Sequence, residues 1–113
     1  MFKTLNRLFE SKKQKDEEAI LIHLDGVNLE ESIYAQYDAS TLEKQLADAL
    51  GTAGEVDGNE IREKETVIFL YGNDAENMFT KIEPVLASYP LCKNARVVIR
   101  QGKPGATQRE VQL

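Results

Sequence analysis

The sequence predicts an α+β fold in which one antiparallel sheet carries two helices on a single face. Three observations carry that expectation. Short apolar runs with strand character recur around residues 19–24, 65–71 and 95–101. Apolar residues also fall at intervals of three and four over 42–50 and 78–89, the spacing of an amphipathic helix. Turn-forming blocks separate these runs, at 54–61, 71–75 and 102–106.

The first run, residues 19–24, is too short for a helix and stops at Asp25-Gly26, so it reads as a buried central strand. Residues 27–38 fit the start of a helix, a long loop or an additional strand, and the sequence does not choose among them. Asp38, Ser40 and Thr41 are N-cap residues for a helix that places Leu42, Leu46, Ala49 and Leu50 on one face. Gly51 and Gly54 are suited to end it.

Residues 54–61 form a short polar strand, joined through Arg62, Glu63 and Lys64 to the strongly β-forming run 65–71. Asn73 and Asp74 cap a second helix with Met78, Phe79, Ile82, Val85, Leu86 and Tyr89 on its apolar side. Pro84 falls within it and is expected to kink the helix or split off its last turn, because proline has no N–H to donate. Residues 95–101 make a further strand, and the turn at 102–106 returns the chain as a closing strand over 108–113.

With right-handed crossovers, strand-helix-strand-strand-helix-strand-strand is a ferredoxin-like split βαβ sandwich with one added C-terminal edge strand, in the order 5-4-1-3-2. Alternation points Ile20, Ile22, Leu24, Ile68, Leu70, Val97 and Ile99 towards the helices. It points Leu21, His23, Phe69, Tyr71, Arg96, Val98 and Arg100 to the other face. That second face has no helix to cover it; the alternative is that residues 27–37 fold over it.

The chain has 113 residues, 42% of them hydrophobic, the size and composition of one domain with one core. Residues 1–18 are expected to be a basic, flexible leader and 19–113 a single α+β domain. No apolar run approaches the roughly 20 residues of a membrane span, and residues 1–9 lack the apolar stretch of a secretory signal. A cytoplasmic location is the expectation. Cys92, the single cysteine, excludes an intrachain disulfide and reads as a small buried hydrophobe.

The net charge of −5 hides an uneven division. Residues 1–15 hold five basic groups against Glu10, whereas 16–113 hold nine basic and eighteen acidic groups. An acidic body repels phosphate backbones, which argues against nucleic-acid binding and favours basic protein partners. Phe2, Leu5 and Phe9 stand at helical spacing beside the lysines of the leader. Weak, reversible docking on an anionic membrane is the most that such a segment supports.

No catalytic residue, metal ligand or cofactor is assigned. Glu55, Asp57 and Asn59 fall on one side of a strand if alternation holds, and with Glu60 they offer oxygen ligands to a divalent cation. Turn and edge-strand roles fit these residues better: Gly58 suits a bulge, and the charges protect an exposed edge. His23 reads as a neutral strand histidine bonded to Tyr71 or to a carboxylate. The turn at 102–105 is no phosphate loop, since no Gly-Lys-Ser/Thr leads into a helix.

Four segments together, Gly54 to Ile61 with its Asp57-Gly58-Asn59-Glu60, Leu70-Tyr71-Gly72-Asn73-Asp74-Ala75, Glu83-Pro84-Val85-Leu86 and Arg100-Gln101-Gly102-Lys103-Pro104-Gly105-Ala106, resemble a family of small uncharacterised bacterial proteins. The likeness covers about residues 42–113. It implies a bacterial, cytoplasmic origin and supplies no activity or catalytic residue.

The functional expectation is therefore a non-enzymatic protein-binding module. Its contact residues are Leu21, His23, Phe69, Tyr71, Arg96, Val98 and Arg100, and its partner is another protein or a second copy. Neutralising a partner, as toxin-immunity proteins do, is one instance that suits the size and charge. The alternatives are a regulatory domain that binds a small metabolite and a weak metal-dependent enzyme using the acidic hairpin.

Overall fold

A computed structural model of the chain describes residues 17–113. Its elements in chain order are β1 (Glu18–Asp25), α1 (Glu31–Gln36), α2 (Ala39–Leu50), β2 (Gly54–Ile61) and β3 (Glu65–Gly72). These are followed by α3 (Ala75–Ser88), a 3-10 turn (Pro90–Cys92), β4 (Arg96–Arg100) and β5 (Gln108–Gln112).

The five strands form one antiparallel sheet in the order β2-β3-β1-β4-β5, the order expected from the sequence read from its other edge. Helices α2 and α3 lie on one face, which gives the ferredoxin-like arrangement with its added edge strand.

The core lies between those helices and the sheet. Ile20, Ile22, Leu24, Ile68, Leu70, Val97 and Ile99 point into it, all at most 2% exposed. Leu42, Leu46 and Leu50 of α2 and Ala75, Met78, Phe79, Ile82 and Leu86 of α3 fill the facing layer. The helix starts are set by local chemistry: Asp38 accepts from Thr41 N (2.7 Å) and Asp74 from Asn77 N (3.0 Å). A second carboxylate, that of Glu18, accepts from Ala75 N at 2.8 Å, so the first residue of β1 also steadies the start of α3.

The structure decides three points that alternation and spacing did not. Residues 27–37 do not cover the second sheet face. Leu29 joins the helix-side core, with Ile33, Tyr34 and Tyr37 packed against it. Tyr34 fixes this segment, its hydroxyl donating to Asp25 O (2.9 Å) and accepting from Leu29 N (3.0 Å). The Tyr37 and Tyr89 rings meet edge-to-face at 5.5 Å.

Secondly, Pro84 does not split α3, which runs unbroken over 14 residues. Thirdly, β2 carries a bulge between Val56 and Gly58, where Gly58 takes φ of 136°, a conformation that favours glycine. The extra residue breaks the alternation that would put Glu55 and Asn59 on one side. Asn59 instead pairs with Ile68 and donates to Glu43 of α2, while Glu55 stands opposite Tyr71 on the far face.

The expected membrane-docking residues Phe2, Leu5 and Phe9 lie outside the described residues. Among the described residues, no helix is long and apolar enough to cross a membrane.

Candidate functional site

The sheet face turned away from α2 and α3 is built from strand register alone. Cross-strand partners on this face stack into three rows, each running β2-β3-β1-β4-β5. The central row is Gly58, Phe69, Leu21, Val98 and Glu110. On one side lies Glu55, Tyr71, Ala19, Arg100 and Gln108, and on the other Glu60, Val67, His23, Arg96 and Gln112. The apolar side chains thus occupy the three inner strands, and the edge strands supply a polar margin.

All seven residues expected on this face are brought together there. Leu21, His23, Phe69, Tyr71, Arg96 and Arg100 are half-buried and Val98 is buried. Two further members, Ala19 and Val67, are wholly buried, yet neither belongs to the helix-side core. Both lie on the same period-2 pattern, two residues from Leu21 and from Phe69, which is the signal that locates them.

The charged members are positioned by other parts of the chain. His23 Nδ1 lies 3.3 Å from Glu65 Oε1, so its partner is a carboxylate and not Tyr71. Burial pushes the Glu65 carboxyl up, but the hydrogen bonds from His23 and Arg62 outweigh it and hold the group below the usual glutamate range. Arg96 donates to Glu110 at 2.8 Å. Arg100 donates from Nε to Gly102 O (2.7 Å) and from Nη2 to Glu17 O (3.5 Å), which ties the β4–β5 turn and the approach to β1 together. Each guanidinium has five N–H donors, so both keep capacity towards the face. Tyr71 has its phenol pushed up by burial, with the charge of Asp57 adding to the effect.

At the His23 end a polar cleft of about 290 Å³ is lined by His23, Asp25, Lys64, Glu65, Asn94 and Arg96 among others. Asp25 is already engaged there, accepting from Val27 N and Asn28 N. Among the described residues no group of three or more His, Cys, Asp or Glu side chains is arranged to hold a metal ion.

Cys92 is the buried last residue of the 3-10 turn, and that burial pushes its thiol up to about 12, which keeps it protonated and unreactive at neutral pH. No protein-family model matches the chain, and neither the curated proteins nor the solved structures hold a significant match to it.

Proposed function

We propose that this protein is a non-enzymatic binding module of bacterial, cytoplasmic origin that seats a protein partner on the helix-free face of its sheet. The observation that carries this reading is the in-register cluster of Phe69, Leu21 and Val98, flanked by Tyr71 and Val67 and bordered by Glu55, Glu60, Glu110, Gln108 and Gln112. An apolar centre with aromatic residues inside a polar margin is the anatomy of protein–protein interfaces, and Tyr and Arg are enriched where binding energy concentrates. A sheet also presents such a cluster rigidly, since strand pairing fixes the side-chain spacing.

The acidic body favours a partner of basic character, because complementary charge accelerates encounter. A protein that neutralises or regulates its partner by occupying it fits this chemistry. The test is affinity capture of the tagged chain from its host beside the Phe69→Ser/Tyr71→Ser variant, with light scattering on the eluate. The expected result is a complex that the double substitution abolishes; a complex of unchanged yield would overturn the reading.

A further inference from the structure

We propose that the helix-free face receives a second copy of this chain, packed face to face about a two-fold axis that runs along the strands between β1 and β3. The proposal rests on the reading of this face as a protein-binding surface and names what binds there.

Charge on the face selects the axis. Glu55 and Glu60 stand on β2, Arg100 and Arg96 on β4, and each carboxylate shares a cross-strand row with one arginine. In a two-fold pair, whatever residue one copy sets against the other it receives in return. An axis along the strands keeps every row over itself, and between β1 and β3 it lays β4 of one copy over β2 of the other. Arg100 then meets Glu55 of the second copy, and Arg96 meets Glu60 of the second copy. An axis across the strands exchanges the outer rows instead, setting Glu55 on Glu60 and Arg100 on Arg96. Like charges in contact across an interface are costly, so that arrangement is rejected. Moving the axis over β1 lays Arg96 on Val67 and Arg100 on Tyr71, which leaves the arginines without carboxylates.

The selected axis also matches shapes. It sets Phe69 against Leu21, Tyr71 against Ala19 and Val98 against Gly58, a larger group against a smaller one each time, as the inner faces of packed sheets require. The arginines have donors to give: Arg96 binds Glu110 and Arg100 binds two backbone carbonyls, from five N–H groups each. The net charge of −5 opposes the approach of two copies. At physiological salt that repulsion is screened beyond about 8 Å, whereas the cross-copy ion pairs act at contact.

Four overlapping strands about 4.8 Å apart and three rows about 6.7 Å apart cover a patch of about 19 by 20 Å. So small a patch lies at the low end of specific interfaces, which makes the pair reversible and dependent on concentration.

The experiment is sedimentation velocity of the full chain from about 10 μM to about 1 mM, the range in which a small interface associates. The native chain is compared with Glu60→Arg, with Arg96→Glu and with an equal mixture of the two. Both side chains are about half-exposed, so both variants are expected to fold, which circular dichroism checks. Each variant alone sets like charges against each other and should associate at least about tenfold more weakly than the native chain. In the mixture, each variant supplies the charge that the other lacks, and association should return. A native chain that stays monomeric throughout would overturn the proposal. So would a dimer indifferent to both substitutions, or a mixture no stronger than its components.

Failure here and failure of the partner-binding reading look different. A monomer whose capture of another protein is abolished by the Phe69/Tyr71 substitutions would leave a site for a foreign partner and no self-association. A dimer that follows the charge exchanges, with capture of another protein unaffected by those substitutions, would leave a face that serves self-association alone.

Discussion

Leu21 and Phe69 stand directly opposite one another on β1 and β3, on the face away from the helices, with Val98 completing the row from β4. Each of the three inner strands thus contributes one apolar side chain to the centre of the proposed interface. Replacing Phe69 and Tyr71 together with Ser removes two aromatic groups that are half-buried and outside the main core. The expected cost is about 1–3 kcal/mol of stability, and about 2 kcal/mol or more of binding, roughly thirtyfold in affinity. Thermal melting followed by circular dichroism measures the first, and light scattering or titration with the captured partner the second.

Gly54 and Gly72 are cross-strand partners, and the closeness of their backbones sets where β2, β3 and α3 meet. A methyl group at Gly72 would lie 2.5 Å from the carbonyl oxygen of Ala53 and 2.6 Å from the sulfur of Met78. Gly72→Ala should therefore cost about 1–3 kcal/mol through overpacking, read from urea denaturation. Adding Met78→Ala should not restore stability, because the contact with the Ala53 carbonyl belongs to the backbone.

Arg109 of β5 grips Glu76 of α3 with two parallel bonds, Nε to Oε2 and Nη2 to Oε1, each 2.8 Å. The same guanidinium lies 5.6 Å from the centre of the Phe79 ring. This pair joins the edge strand to the helix. Arg109, assisted by Gln101 and only partly opposed by desolvation, holds the Glu76 carboxyl down at about 2 instead of 4.5. A depressed carboxylate favours the folded state above its unfolded pKa, so the contribution is present above about pH 4.5 and is lost as pH falls through about 2. The melting difference between the native chain and Glu76→Gln should accordingly narrow from pH 6 to pH 2. Because the pair is solvent-exposed, salt should narrow it as well.

The Cys92 thiol should resist modification by an aromatic disulfide reagent at pH 8 in the native protein and react fully in denaturant. Burial raises it from 9.0 to about 12, so it stabilises the fold below about pH 9 and ceases to do so as pH rises through about 12. Cys92→Ser, which buries a hydroxyl in the same place, should cost about 1–3 kcal/mol, measured by thermal melting.

Strand order and sheet faces were legible because period-2 alternation and helical spacing are local properties. Ile20, Ile22, Ile68 and Ile99 declare a core side within a few residues of sequence, and Asp38 and Asp74 announce helix starts that their side chains then cap. What escaped depends on distant partners. Helix α1 has six residues and no side-chain cap at Glu30, and its place is fixed by Tyr34 bonding to Asp25 and by Tyr37 meeting Tyr89 from across the fold.

The side chosen by Asn59 escaped for a different reason. One extra residue in β2 reverses the alternation downstream of it, and Gly58 marks where a bulge is easy without stating which neighbours it turns over. The site was legible as a set of residues on one face. The carboxylate that meets His23 and the carbonyl that meets Arg100 follow from register and turn geometry, which alternation alone does not specify.

The most direct test of the central claim is methyl NMR of Leu21, Val67 and Val98, followed as captured partner is added or as the chain's own concentration is raised. Saturable shifts at these three methyl-bearing residues, with Leu42, Leu46 and Ile82 unmoved, are the predicted result. Shifts confined to the helix side, with the sheet-face methyls unchanged at saturation, would contradict it.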